Sequence, residues 1–263
     1  MRKASMKNES EIDVFITFHK KDAPALPLCV QSIERYLVPR PHRITLLSDD
    51  VSSDLLTKYD LNHIHESSVF EKFSFEEMPY MECRGRDRTG WYFQQFLKWE
   101  ARRHSTTENY VVVDADTVFI KPAKLFHRDK YIFHRGDQYH LPYFKTYEKL
   151  FGYLPEKQRS FIANYMIFNT KIIGEIIAGI EKTDTTRKWY EIVLDTIDTN
   201  EPSSFSEFET YGYYMSKHYP DRFCSKNCLN KIVQTEKISR HLFNVIRYKL
   251  RGYTSISYHC YKR

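Results

Sequence analysis

Tyr110-Val-Val-Val-Asp-Ala-Asp-Thr-Val-Phe-Ile120, near the middle of a 263-residue chain, opens as an apolar, β-branched run. Runs of this kind form strands buried on both faces. Asp114 and Asp116 interrupt it before Val118 to Ile120 resume the apolar character. Two acids left dry and unpaired would cost several kcal/mol, which places them where the strand emerges at the rim of a sheet. In extended chain, residues i and i+2 project to one side, so both carboxylates can face one point across Ala115. Hard oxygen ligands meeting there suit Mg2+ or Mn2+ that also holds substrate phosphates. The plain alternative is a solvated strand end.

Upstream, Ile12 to Phe18 reads as a first strand ending in the polar turn His19-Lys-Lys-Asp22, followed by a helix over Ala25–Leu37. Pro39-Arg-Pro41 breaks that helix, and Arg43 to Ser48 is a second strand capped by Asp49 and Asp50. This β-α-β opening predicts a largely parallel sheet with a right-handed crossover. Ligands of open α/β sheets bind beyond the carboxyl ends of the strands. Thr17, Phe18, His19 and Asp49 are thus candidates to contact a nucleotide's base and ribose, against the alternative of ordinary polar loops.

Residues 51–83 carry only short apolar patches and read as irregular. Arg84-Gly-Arg-Asp-Arg-Thr-Gly90 then leads into an amphipathic helix from about Trp91 to Arg103. A basic, glycine-containing turn before a helix N-terminus favours anions. Arg84, Arg88, Gln94, Gln95 and Lys98 are therefore candidate diphosphate contacts, the alternative being an exposed basic loop before a core helix. Tyr131 to His134 and Arg159 to Asn169 predict further strands, Leu141–Leu154 a helix or loop, and Lys171–Lys182 and Thr186–Ile197 helices.

Phe205-Ser-Glu-Phe-Glu-Thr-Tyr-Gly212 is the second informative stretch. Ser206 with Glu209, or Ser204 with Glu207, matches a capping box. Either acid can simply cap the helix. Equally, a carboxylate at a helix start has the fixed direction that general-base work on an incoming hydroxyl requires. Further on, Ile238, Leu242, Val245 and Ile246 form one stripe in a basic tail, predicted to lie on the core or on a membrane surface. His259 is a candidate further metal ligand.

Apolar content of 41% and charged content of 28% are those of an ordinary globular chain, and a net charge of +6 spread along it falls short of a nucleic-acid footprint. Five cysteines, an odd number without paired zinc spacing, predict free thiols in a reducing compartment. With no signal-peptide core and no long apolar run, the expected location is cytoplasmic, at most peripheral on the inner membrane face.

With these residues placed, the chain resembles the GT-A class of nucleotide-sugar-dependent glycosyltransferases, more narrowly a group of small bacterial and viral ones. The resemblance runs from about Ile12 to Tyr214. It is carried by Val14-Phe-Ile-Thr-Phe18, Leu28-Cys-Val-Gln-Ser-Ile33, Gly90-Trp-Tyr-Phe-Gln-Gln-Phe-Leu-Lys98, Val113-Asp-Ala-Asp-Thr117, Ser160 to Phe168 and Phe205 to Gly212. It implies a Rossmann-like, mixed but mainly parallel sheet flanked by helices in a single domain, 12–236. Residues 1–11 would be a flexible N-terminus and 237–263 a basic extension. It further implies a Mn2+- or Mg2+-bridged nucleoside diphosphate-sugar on Asp114-Ala115-Asp116, and transfer, with inversion, to a hydroxyl of a glycan or lipid-linked acceptor. Glu207 or Glu209 would take the proton; inverting relatives often carry a Glu-Asp pair there, where this chain has two Glu flanking Phe208. The competing readings are a nucleotidyl or phosphoryl transferase, disfavoured because no glycine-rich phosphate loop lies near the N-terminus, and a non-catalytic nucleotide- or glycan-binding protein.

Overall fold

The computed structural model describes residues 11–137, 139–156 and 159–259. The expected flexible N-terminus falls, apart from Glu11, outside the described residues. In chain order the elements that matter begin with β1 (Glu11–Thr17), α1 (Leu26–Tyr36), β2 (Arg40–Ser48), β3 (Asn62–His65) and α2 (Thr89–Glu100). They continue with β4 (Asn109–Val113), β5 (Thr117–Phe119), β6 (Lys130–Arg135), α3 (Leu141–Phe151), β7 (Tyr165–Asn169), α4 (Thr170–Glu181) and α5 (Trp189–Thr196). The last are α6 (Glu207–His218), β8 (Phe223–Asn227), β9 (Asn230–Gln234), α7 (His241–Leu250) and β10 (Ser255–His259).

A five-stranded sheet in the order β7-β4-β1-β2-β3 forms the centre. Strands β4, β1, β2 and β3 run parallel, and β7 pairs antiparallel with β4. Tyr110 to Val113 are fully buried, alternate residues to either side, as a strand covered on both faces demands. Because the parallel strands end together, the residues following β1, β2 and β4, namely Phe18, Asp49 and Asp114, emerge on one edge. At the far end of the sheet the buried Asp13 carboxylate accepts from Arg43 Nε at 3.1 Å and from the Thr106 amide and hydroxyl at 2.5 and 2.9 Å. That acid is fully partnered and belongs to the framework.

Two expectations change here. The stretch 51–83 is not without regular structure: Asn62–His65 supplies β3, bonded to Thr45–Ser48 at the sheet's edge. The tail stripe also divides. Ile238 and Val245 pack against a small core of Val118, Tyr248, Ile256 and Tyr258, whereas Leu242 and Ile246 face outward. Residues Ser255–His259 join a second sheet, in which β10 runs parallel to β9 and antiparallel to β5, pairing Ser255, Ile256 and Ser257 with Phe119, Val118 and Thr117. Cys29, Cys83, Cys224 and Cys228 are free thiols.

Candidate active site

Asp114 and Asp116 lie in the turn joining β4 to β5. The Asp114 amide donates to Asn164 O at 2.9 Å, and the Thr117 amide closes the turn on Asp114 O at 2.9 Å. The Tyr258 amide donates to Asp116 O, also at 2.9 Å, which ties the turn to β10. His259 follows directly, its Nε2 3.6 Å from Asp116 Oδ2. Beneath the turn, buried Cys29 Sγ lies 3.7 Å from Asp114 O. Burial, with the charges of Asp116 and Asp114, pushes its thiol well up, so it sits there as a neutral packing group.

Helix α2 delivers the counter-charge. Gln95 and Lys98, three residues apart, share one face. Lys98 Nζ donates to Asp114 Oδ1 at 3.0 Å and to Glu207 Oε1 at 2.8 Å, and lies 4.5 Å from the centroid of the Phe208 ring. Burial works against the Lys98 charge, but Asp114 and Glu207 override it and hold the ammonium firmly protonated. Gln95 Oε1 accepts from the Glu207 amide at 3.0 Å, fixing the start of α6 against α2. Asp116 has weaker compensation. Burial first, then the charges of Asp114 and Asp22, push its carboxyl up to about 8.

Glu207 and Glu209 have separate surroundings. Ser206 caps α6 by accepting from the Glu209 amide at 3.3 Å. The Glu209 side chain does not complete a capping box; it accepts from Ser160 Oγ and from the Phe161 amide, the latter at 3.0 Å. Burial raises its carboxyl despite those bonds. Glu207 instead faces Lys98. Ser204 Oγ, the other capping candidate, accepts from the Asp198 amide at 2.8 Å.

Two clefts open among these elements. One, of about 480 Å³, is lined by Phe18, His19, Asp49, Gly90, Phe93 and Gln94, so four of the sequence-derived nucleotide candidates meet there. The other, of about 390 Å³, is lined by Tyr139, His140, Tyr143, Ser160, Ile162 and Ser203. Burial pushes the Tyr143 phenol up to about 12, and Glu207 and Glu209 add to the shift, which puts this cleft beside both acids. In the sequence Arg135 to His140 reads as polar enough to line a cleft and Leu141–Leu154 as rich in Tyr and Phe, whereas Ser160, Ile162 and Ser203 carry no such signal. Arg84 and Arg88 each give their Nε to a backbone carbonyl. Arg84 Nε donates to Asn200 O at 2.9 Å and Arg88 Nε to Pro202 O at 3.1 Å, bracing the loop before α6. Thr17 and Ala115 are buried backbone positions of the edge.

The mainly parallel sheet with one antiparallel strand matches the fold of the GT-A glycosyltransferases. The structure aligns with mouse xyloside xylosyltransferase 1 in its apo form over 95% of this chain and 98% of that one, at 12% identity and a TM-score of 0.53. It aligns with the galactosyltransferase LgtC, solved with donor and acceptor sugar analogues, over 95% of this chain and 87% of that one, at 13% identity and a TM-score of 0.51. Likeness at such identities is likeness of fold. The chain itself belongs to a family of unknown function, DUF6492, whose model matches residues 17–241. No curated protein sequence matches it.

Proposed function

We propose that the protein is a metal-dependent glycosyltransferase that moves a sugar from a nucleoside diphosphate-sugar to a hydroxyl of a glycan or lipid-linked acceptor. The observation that supports this most is the single Lys98 ammonium joining Asp114, at the sheet's carboxyl edge, to Glu207, at the helix start beside the second cleft. On this reading Asp114 is the phosphate-side acid and Glu207 the acceptor-side acid, the latter beside the smaller cleft.

Among the described residues no three His, Cys, Asp or Glu side chains already stand as a metal cluster. The donor chemistry nevertheless suits Mn2+ or Mg2+: Asp116 is a carboxyl destabilised as an anion by its surroundings, with Asp114 and the His259 imidazole close by. Asp114, Asp116 and His259 would hold the ion. When bound, it would supply positive charge to the diphosphate oxygens of the donor.

The chain's own groups do the rest. Phe18, His19, Asp49 and Gln94 would receive the nucleoside in the larger cleft, and Tyr139 and Tyr143 offer ring faces to an acceptor sugar. Lys98 keeps Glu207 turned toward the anomeric centre. In an inverting displacement Glu207 receives the acceptor proton, the acceptor oxygen bonds to the anomeric carbon, and the diphosphate leaves with the electron pair of the broken C–O bond. Glu209, occupied by Ser160 and Phe161, shapes the acceptor cleft.

A thermal-shift screen of nucleoside diphosphates and their sugars, with Mn2+ or with chelator, tests the proposal. One nucleotide should stabilise the protein only with metal, and Asp114→Ala should abolish the shift. No shift with any nucleotide would sink the transferase reading.

A further inference from the structure

Helix α7 leaves an apolar stripe in solvent. Asn244 and Tyr248 are buried, while Leu242, Phe243, Ile246 and Leu250 are 79%, 59%, 63% and 83% exposed. Leu242, Ile246 and Leu250 recur every fourth residue, so they form one continuous stripe, with Phe243 beside it. Contiguous exposed apolar side chains of this kind mark a contact surface.

The charge around the stripe narrows what it contacts. Lys237, Arg240, Arg247, Lys249 and Arg251 punctuate Lys237–Gly252, and no Asp or Glu lies in that segment. A second copy of the same helix would set these cations against their own kind. An anionic bilayer surface meets both demands, its acyl boundary taking the leucines and Phe243 and its phosphates taking the cations. A ten-residue helix, about 15 Å long, lies along such a surface and does not cross it. No helix among the described residues is long and apolar enough to span.

We propose that α7 docks this protein peripherally on an anionic lipid bilayer. The helix leads through Arg251-Gly252 into β10, whose Tyr258 amide and His259 imidazole reach Asp116. The inner side of α7 also meets this strand, His241 Nδ1 lying 2.8 Å from the Tyr258 hydroxyl. The proposal stands independently of the transferase reading, because lipid binding is measured with no sugar nucleotide present.

The test is flotation of the full chain with phosphatidylcholine vesicles and with two-to-one phosphatidylcholine–phosphatidylglycerol vesicles. Recovery with the anionic vesicles should exceed that with neutral ones by about tenfold or more, and should fall as salt rises from about 0.1 to about 0.5 M. Leu242→Asp/Ile246→Asp should lose about tenfold or more of the recovery at an unchanged thermal midpoint, since both residues face water. If that variant unfolds, Arg247→Glu/Lys249→Glu decides, and it should lower recovery on anionic vesicles alone. Failure of the unaltered chain to float, or equal flotation of every variant, overturns the proposal. So does a concentration-dependent dimer that Leu242→Asp/Ile246→Asp dissolves in a chain that never floats.

Discussion

Lys98 Nζ stands 2.8 Å from Glu207 Oε1, in a contact that is buried on both sides. The two residues are 109 positions apart, one inside α2 and the other at the first position of α6. A buried ion pair adds little stability when both members are present, yet losing one leaves an uncompensated charge in the interior. Lys98→Met should therefore cost about 3–5 kcal/mol of stability, read by denaturant unfolding. A loss below about 1 kcal/mol would mean that Glu207 finds water or another partner.

The two glutamates should separate in kinetics. Glu207→Gln should lower kcat by about a hundredfold or more with the thermal midpoint nearly kept, because Asp114 still neutralises Lys98 and the amide can still accept from it. Glu209→Gln should act mainly on stability and on the KM for acceptor, through Ser160 and Phe161. Equal loss of kcat in both variants would contradict this division of labour.

His259→Ala should weaken Mn2+ binding by about tenfold or more, measured from the free-ion spin-resonance signal, while the fold melts as before. Removing metal with chelator should erase nucleotide-induced stabilisation in the unaltered protein. Unchanged Mn2+ affinity would leave His259 as no more than a neighbour of Asp116.

Gly212 lies inside α6, where alanine would ordinarily be favoured by about 1 kcal/mol. A Cβ at this position, however, would overlap the Phe161 ring, which is fully buried. Gly212→Ala should destabilise by about 1–3 kcal/mol and, by displacing Phe161, loosen the Ser160 bond to Glu209. Calorimetry and the acceptor KM would both register the change.

Acid should unfold the protein partly through His134. Burial, followed by the Lys226 charge, lowers its pKa to about 4, and its Nε2 lies 3.2 Å from the Tyr165 hydroxyl. The folded imidazole thus resists a proton that the unfolded one takes up near 6.5. Its contribution is intact above that value and is lost as pH falls toward 4. Some water reaches the ring, so about 1–3 kcal/mol is at stake. His134→Gln should flatten the unfolding free energy across that window, and an unchanged slope would reject the assignment.

What could be read from the sequence was what periodicity and local chemistry encode. Tyr110 to Val113 declares a buried strand because every residue is apolar and nearly all are β-branched. The Asp114–Asp116 pair then has to sit at its end. Gln95 and Lys98 were visible as neighbours on a helix, though not what they would touch. By contrast, Asn62-His-Ile-His65 gives almost no strand signal, because an edge strand is held by backbone bonds to β2 and asks little of its side chains. Arg84 and Arg88 read as a basic turn, but nothing in that turn tells that their Nε groups bond the carbonyls of Asn200 and Pro202, a pairing made by a loop more than a hundred residues away. Likewise Glu207 and Glu209 are indistinguishable as letters. Only the packing of α6 against α2 and against the 160–162 segment separates them.

The antiparallel pairing of Ser257 with Thr117 spans 140 residues, and with the Tyr258 amide bond to Asp116 O it brings His259 to Asp116. Contacts that distant in sequence are slow to form, since a long loop must close before they repay its entropy. A growing polypeptide holds Asp114 and Asp116 early and lacks their imidazole neighbour until β10 has been synthesised and has docked. Maturation of the site is thus timed by the ribosome: a partly translated chain would carry the acidic turn without the strand that finishes it.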